Sequence, residues 1–193
     1  SSTPGWWENA YIGEPAAVEH SYTNYLKADP ESLIRPSSKK YMGEIPDTWP
    51  SVKDWYKVER ILRMGPKPPA IPDGWRKALN EMNADLGVRH QVDVMVVLTS
   101  HKDPEFADAL EAKWLFGPKN AVIVVLGSTD GATVQWARVV SISEVELLKI
   151  NLRDSLPGKP LDLDVLTIIE SEVGAHFKRT PMEKYSYLES AAE

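Results

Sequence analysis

The sequence predicts an α/β domain: a mixed β-sheet flanked by helices on both faces, with an N-terminal Pro/Trp-rich helical arm. Three observations predict it. The run Val92–Thr99 is almost wholly apolar, as in a strand buried on both faces. A helix-like segment opening at Asp103-Pro104 separates it from a second apolar run, Ala121–Leu126, and a helix between two such strands implies a parallel, right-handed crossover. Ser128-Thr129-Asp130-Gly131 then reads as a hairpin turn that returns the chain antiparallel through Thr133–Ser141, which makes the sheet mixed.

The 193 residues suit one domain with an appendage, and 42% apolar content is enough for a real core. Three segments are expected: a Pro/aromatic-rich arm over 1–72, an α/β domain over 73–179 and a tail over 180–193. The arm carries ten of the fifteen prolines and four of the seven tryptophans, so regular structure there is short and interrupted. A helix is expected from Pro15 to Lys27. A second opens at Ser51, where Asp54 completes a capping-box-like start. Val52, Trp55, Tyr56, Glu59 and Leu62 follow at helical spacing, and Gly65-Pro66 ends it. The stretch Lys67–Pro72 reads as a stiff, extended connector.

Asp73 is positioned to cap a helix with Trp75, Leu79, Met82 and Leu86 on its apolar face, and Gly87 reads as its stop. After the first buried strand, Asp103 as cap and Pro104 as first residue start the crossover helix. It presents Phe106, Ala107, Leu110 and Trp114 on one side and ends at Gly117-Pro118. Ser143 with Glu146 forms another capping box, opening a helix to about Leu152 or Leu156. Asp162 or Asp164 caps the last long helix, whose inward face is Leu166, Ile169, Val173 and Phe177.

Charge and composition narrow the function. A net charge of −6 with scattered basic residues opposes generic binding to nucleic-acid phosphates. The absence of cysteine excludes disulfides, thiolate metal sites and cysteine nucleophiles. No apolar run reaches membrane-spanning length. The chain starts Ser1-Ser2-Thr3-Pro4 without Met, as a processed or trimmed piece does, so a flanking anchor is compatible with it. Phosphate-binding and dinucleotide glycine motifs are absent, as is the Gly-x-Ser-x-Gly elbow of serine hydrolases.

In an open α/β sheet, ligands bind outside the carboxyl ends of the parallel strands. Those ends are Thr99-Ser100-His101-Lys102-Asp103 and Gly127-Ser128-Thr129-Asp130. Asp103, Glu105 and Asp130 offer hard oxygen ligands for calcium or magnesium, and His101 is a candidate acid or base. Each Asp also has a purely structural reading, Asp103 as a helix cap and Asp130 as a turn residue. Glu172 and His176 stand at i, i+4 on one helix, but no third metal ligand is evident from the sequence. In the arm, Trp6 and Trp7 are candidate anchors for a protein partner, because Trp and Tyr dominate such contacts. The alternative is that the arm wraps its own body.

Residues 73–177 resemble the TPM domain, an α/β module of bacterial membrane-associated proteins and of a thylakoid-lumen protein. The likeness rests on Leu86-Gly87 before the strand Val92–Val97, then Trp114-Leu115-Phe116-Gly117 closing an acidic helix, Lys119-Asn120 before Val122–Leu126, and Asp130 in the following turn. The chain departs from the family pattern at Ala121, at Gly131 and at Val139-Val140-Ser141-Ile142, where glycine, a basic residue and a glycine-containing stretch are usual. The resemblance implies an extracytoplasmic, membrane-associated location, and because some members are acid phosphatases or calcium binders it also implies the alternative of a metal-dependent acid phosphatase, for which Asp130 is the acidic loop position that carries over. The departures point instead to a scaffold kept without the family's usual site, so the leading expectation is a non-enzymatic interaction or assembly role.

Overall fold

A computed structural model of the chain describes residues 36–47, 59–114, 120–141, 143 and 145–178. The expected helix at Pro15–Lys27, residues 51–58 of the one expected from Ser51, the Gly117-Pro118 stop, Trp6, Trp7 and the tail from Thr180 lie outside those residues.

Four strands form one sheet in the order β1 (Ile61–Met64), β2 (Asp93–Thr99), β3 (Ala121–Gly127), β4 (Trp136–Val140). The first three are parallel and β4 returns antiparallel to β3, so the mixed sheet expected from sequence is present. Among the described residues four α-helices accompany it: α1 (Trp75–His90), α2 (Glu105–Lys113), α3 (Glu146–Ser155) and α4 (Leu163–His176). A 3₁₀ turn, Pro36–Tyr41, precedes them.

Alternation along the strands divides the core in two. Val94, Val96 and Leu98 of β2, with Val122, Val124 and Leu126 of β3, pack against α1, α3 and α4. Met95 and Val97, with Ile123 and Val125, pack against α2 and the segment around Tyr41 and Ile45. Val94–Leu98 and Ala121–Leu126 are therefore apolar without a break, because both faces of the central strands are covered. Each fully buried large side chain contributes about 1.5–3 kcal/mol. Trp75, Leu79, Met82 and Leu86 seat α1 on the first face, as their spacing predicts. Helix α1 joins β1 to β2 over that face, whereas α2 joins β2 to β3 over the other. Both crossovers advance the same way across the sheet, so they are of opposite hand and one departs from the right-handed preference.

Several boundaries differ from the sequence expectation. Ile61–Met64 is a strand, not the end of a helix, and its pairing with Val96–Thr99 carries the sheet into the segment expected to be an arm. Gly87 does not stop α1: it is buried within the helix, which runs three residues further and ends at Gln91 in the left-handed conformation. Asp73 does not cap α1; Gly74 holds that position without a side-chain bond. Ser143 likewise gives no cap to α3, which follows Val145. Asp162 does cap α4, accepting from the Asp164 N–H at 3.0 Å. The third expected strand starts late. Ala132 and Val134 bond to the 158–161 loop instead of β3, with Thr133 opposite Pro160, and eight residues separate β3 from β4 where a tight hairpin was expected.

Candidate functional site

The carboxyl ends of the parallel strands share one rim, on which Met64, Thr99 and Gly127 stand in register and Trp136 faces Gly127 from β4. The chain leaves β1 toward one face and β2 toward the other, the arrangement that opens a crevice between neighbouring strand ends. Here the chain fills that crevice itself. Gly65, at φ +100°, passes so close to β2 that a Cβ on it would lie 2.8 Å from Ser100 Oγ and 3.3 Å from Thr99 Oγ1.

A segment not anticipated from the sequence covers the rim. Residues 39–47 run over α2 and the end of β2, like a strap. Tyr41 and Ile45 are buried against Phe106, Leu110 and Trp114. Lys113 Nζ donates to the carbonyls of Met42 at 2.7 Å and Ile45 at 2.6 Å and pairs with Asp47. Trp114 Nε1 donates to the Pro46 carbonyl at 2.9 Å. Each pin joins residues more than sixty positions apart, a distance over which local sequence patterns carry no signal.

The candidate residues take their surroundings from this strap and from their own loops. The His101 ring lies against Phe106 and Tyr41, with centroids 4.8 and 4.7 Å apart, and its side chain is 13% exposed. His101 Nε2 is 2.7 Å from Glu44 Oε2 on the strap. Its backbone is fixed as well: its N–H donates to Thr99 Oγ1 at 3.2 Å and its carbonyl accepts from Trp136 Nε1 at 2.9 Å.

Asp103 Oδ1 accepts the Glu105 N–H at 3.0 Å, one position ahead of the formal cap Pro104, so the capping role expected for Asp103 is present in substance. Its Oδ2 accepts from Lys40 Nζ at 3.0 Å and from Tyr41 Oη at 3.2 Å. The Glu105 N–H first, and Lys40 next, hold this carboxyl below the usual carboxylate range. The same pairing pushes the exposed Lys40 ammonium up.

Asp130 folds back on its own turn. Its Oδ1 accepts the N–H groups of Ala132 and Thr133 and the Ser128 hydroxyl, each at 2.9 Å, while Ser128 Oγ accepts the Gly131 N–H at 3.1 Å. These donors, the two backbone N–H groups above all, lower the Asp130 carboxyl to about 2. The turn chemistry expected of Asp130 is thus what it performs.

Asp103 and Asp130 do not have each other as partners. Asp103 closes on the strap and on α2, Asp130 on its turn, and Glu105 joins Asp103 through its backbone N–H. Among the described residues no three His, Cys, Asp or Glu side chains gather as a metal ion would require. Among them, too, no helix is long and apolar enough to cross a membrane. Compared with family models, with curated proteins and with solved structures, the chain has no match.

Proposed function

We propose that this chain is a TPM-like α/β interaction domain, working without catalysis outside the cytoplasm and beside a membrane. In this reading it serves assembly with a protein partner, and Trp6 and Trp7 are the anchors it offers. What supports the fold part of the reading is the mixed sheet with helices on both faces; the family and the location rest on the resemblance alone.

One observation carries the non-catalytic part. The carboxylates of Asp103 and Asp130, which a hydrolytic cation site would use, are both taken up by donors of the chain itself. A cation at Asp103 would compete with the Lys40 ammonium for Oδ2, and one at Asp130 would meet an oxygen, Oδ1, that already accepts three hydrogen bonds. His101 is in the same position, held between two rings and paired with Glu44.

The test is an assay of the purified protein on a generic phosphoester, with and without calcium or magnesium. Turnover no higher than background is expected. Metal-dependent turnover that disappears in Asp130→Ala would establish the phosphatase alternative, with Asp103 and Asp130 at the cation and His101 as acid or base.

A further inference from the structure

The strap over residues 39–47 meets the body as a peptide meets a groove. Tyr41 and Ile45, four positions apart, are the buried side chains of this stretch. Tyr41 stands edge-on to Phe106, with centroids 5.6 Å apart, and Ile45 enters the same apolar cluster as Leu110 and Trp114. Beside these two anchors the groove reads main chain. Lys113 Nζ donates to the carbonyls of Met42 and Ile45, and Trp114 Nε1 to that of Pro46. Main-chain bonds that any sequence offers, with pockets for two side chains, are the parts from which peptide-recognition sites are built.

We propose that the groove on α2 beside the strand-end rim is a peptide-binding site that the strap fills in cis, and that it takes a segment of a protein partner with the strap's own chemistry. That segment carries an aromatic residue, a branched aliphatic one four positions on, and an acidic residue two beyond that. The acidic residue is called for by Lys113, whose ammonium meets Asp47 Oδ1 at 2.6 Å. The proposal rests on the interaction reading above and names where the partner seats.

Two features make the strap a replaceable occupant. Among the described residues, each of its hydrogen bonds to the body ends on a body side chain, that of Asp103, His101, Lys113 or Trp114, and none runs backbone to backbone. Its departure therefore breaks no strand or helix ladder, as in segments that open locally. The emptied groove loses the acceptors that the strap supplies to Lys113 and Trp114 beside exposed apolar side chains, and a second segment of the same chemistry restores them. A tethered segment competes at an effective concentration on the order of 1 mM, so the strap excludes a weak partner and yields to a strong one.

The experiment is a fluorescence-anisotropy titration of the full chain with a labelled peptide of residues 38–47, Ser-Lys-Lys-Tyr-Met-Gly-Glu-Ile-Pro-Asp. Tyr41→Ala with Ile45→Ala loosens the strap, and this chain should bind the peptide at least about tenfold tighter than wild type, because apparent affinity rises with the open fraction. A milder pair, Lys40→Ala with Glu44→Ala, changes side chains that are 56% and 42% exposed and leaves the buried anchors in place. It should gain about threefold, so the test does not depend on the first pair folding. Lys113→Met added to either pair should reverse the gain, and peptides with alanine for the tyrosine or the isoleucine should not compete. No tighter binding by either loosened chain, equal competition by the alanine peptides, or a gain that survives Lys113→Met would each overturn the proposal. Binding is read separately from phosphoester turnover, so failure here is told apart from failure of the non-catalytic reading.

Discussion

The indole of Trp136 lies across Gly127, its partner on the neighbouring strand, so closely that a Cβ at Gly127 would come within 2.1 Å of Cε2 and Nε1. The ring cannot easily move aside, because Nε1 also donates to the His101 carbonyl at 2.9 Å. Glycine thus ends β3 for a steric reason, and the indole links the ends of β2, β3 and β4.

Gly127→Ala should therefore destabilise the domain by about 1–3 kcal/mol, the usual penalty for overpacking. Urea unfolding of the variant measures it. Removing the ring relieves the clash, so the cost of Gly127→Ala measured in a Trp136→Ala background should be much smaller. Equal costs in the two backgrounds would mean that Trp136 is not what excludes a side chain there.

Asp130 should titrate near pH 2, against an ordinary 3.8, because three donors of its own turn favour the charged form. The sign follows: a carboxyl depressed in the folded state adds stability that is complete above about pH 4 and is lost as the pH falls through about 2. Carboxyl carbon NMR reads the midpoint directly. Asp130→Asn removes the charge and should flatten the acid limb of the stability profile; a midpoint close to 3.8 would show that the turn bonds are not kept in solution.

Asn83 is buried in α1 beside the start of β2. Among the described residues the β1 ladder begins opposite Val96, two positions past Val94. Asn83 bonds the Val94 backbone: its Oδ1 accepts the Val94 N–H at 2.6 Å and its Nδ2 donates to the Val94 carbonyl at 2.9 Å. Asn83→Ala leaves two buried backbone groups unsatisfied and should cost about 2–4 kcal/mol by denaturant unfolding. A cost below about 1 kcal/mol would indicate that water takes over both bonds.

Lys113 is the main pin of the strap, with three acceptors within 2.7 Å. Lys113→Met keeps the aliphatic stem and removes the charge-assisted bonds. A loss of about 2 kcal/mol of local stability is expected, seen as roughly 30-fold faster exchange of the Glu44 amide. That amide donates to the Tyr41 carbonyl within the strap, so its exchange reports on the strap itself. Unchanged exchange would place the hold on Tyr41, Ile45 and Trp114 alone.

Legibility followed the range of the physics. The two apolar strands and the faces of α1 and α4 were plain in the sequence, because burial on two sides and helical spacing leave local patterns, and the cap of α4 was narrowed to Asp162 or Asp164. The strand Ile61–Met64 was not. It is four residues long, and Leu62 also continues a helical spacing from Val52; its identity comes from pairing with Val96–Thr99, which no local pattern records. Gly87 was misread as a stop because its packing inside α1 is set by tertiary contacts. At the rim, Asp103 and Asp130 were each readable as cap and turn from their neighbours, and both serve so. The strap that meets His101 and Asp103, like the approach of Asn151 to Glu172, joins residues far apart in the chain and became visible in three dimensions only.

The central claim, that the strand-end carboxylates serve the fold and not a cation, is tested most directly by thermal melting of the full chain with and without calcium. A site filled at one hundred times its Kd would add about 2.7 kcal/mol of stability. No calcium-dependent shift is predicted for the wild-type chain. A shift of several degrees that vanishes in Asp103→Asn or Asp130→Asn would contradict the claim and put a cation where the chain now places Lys40 and its own N–H groups.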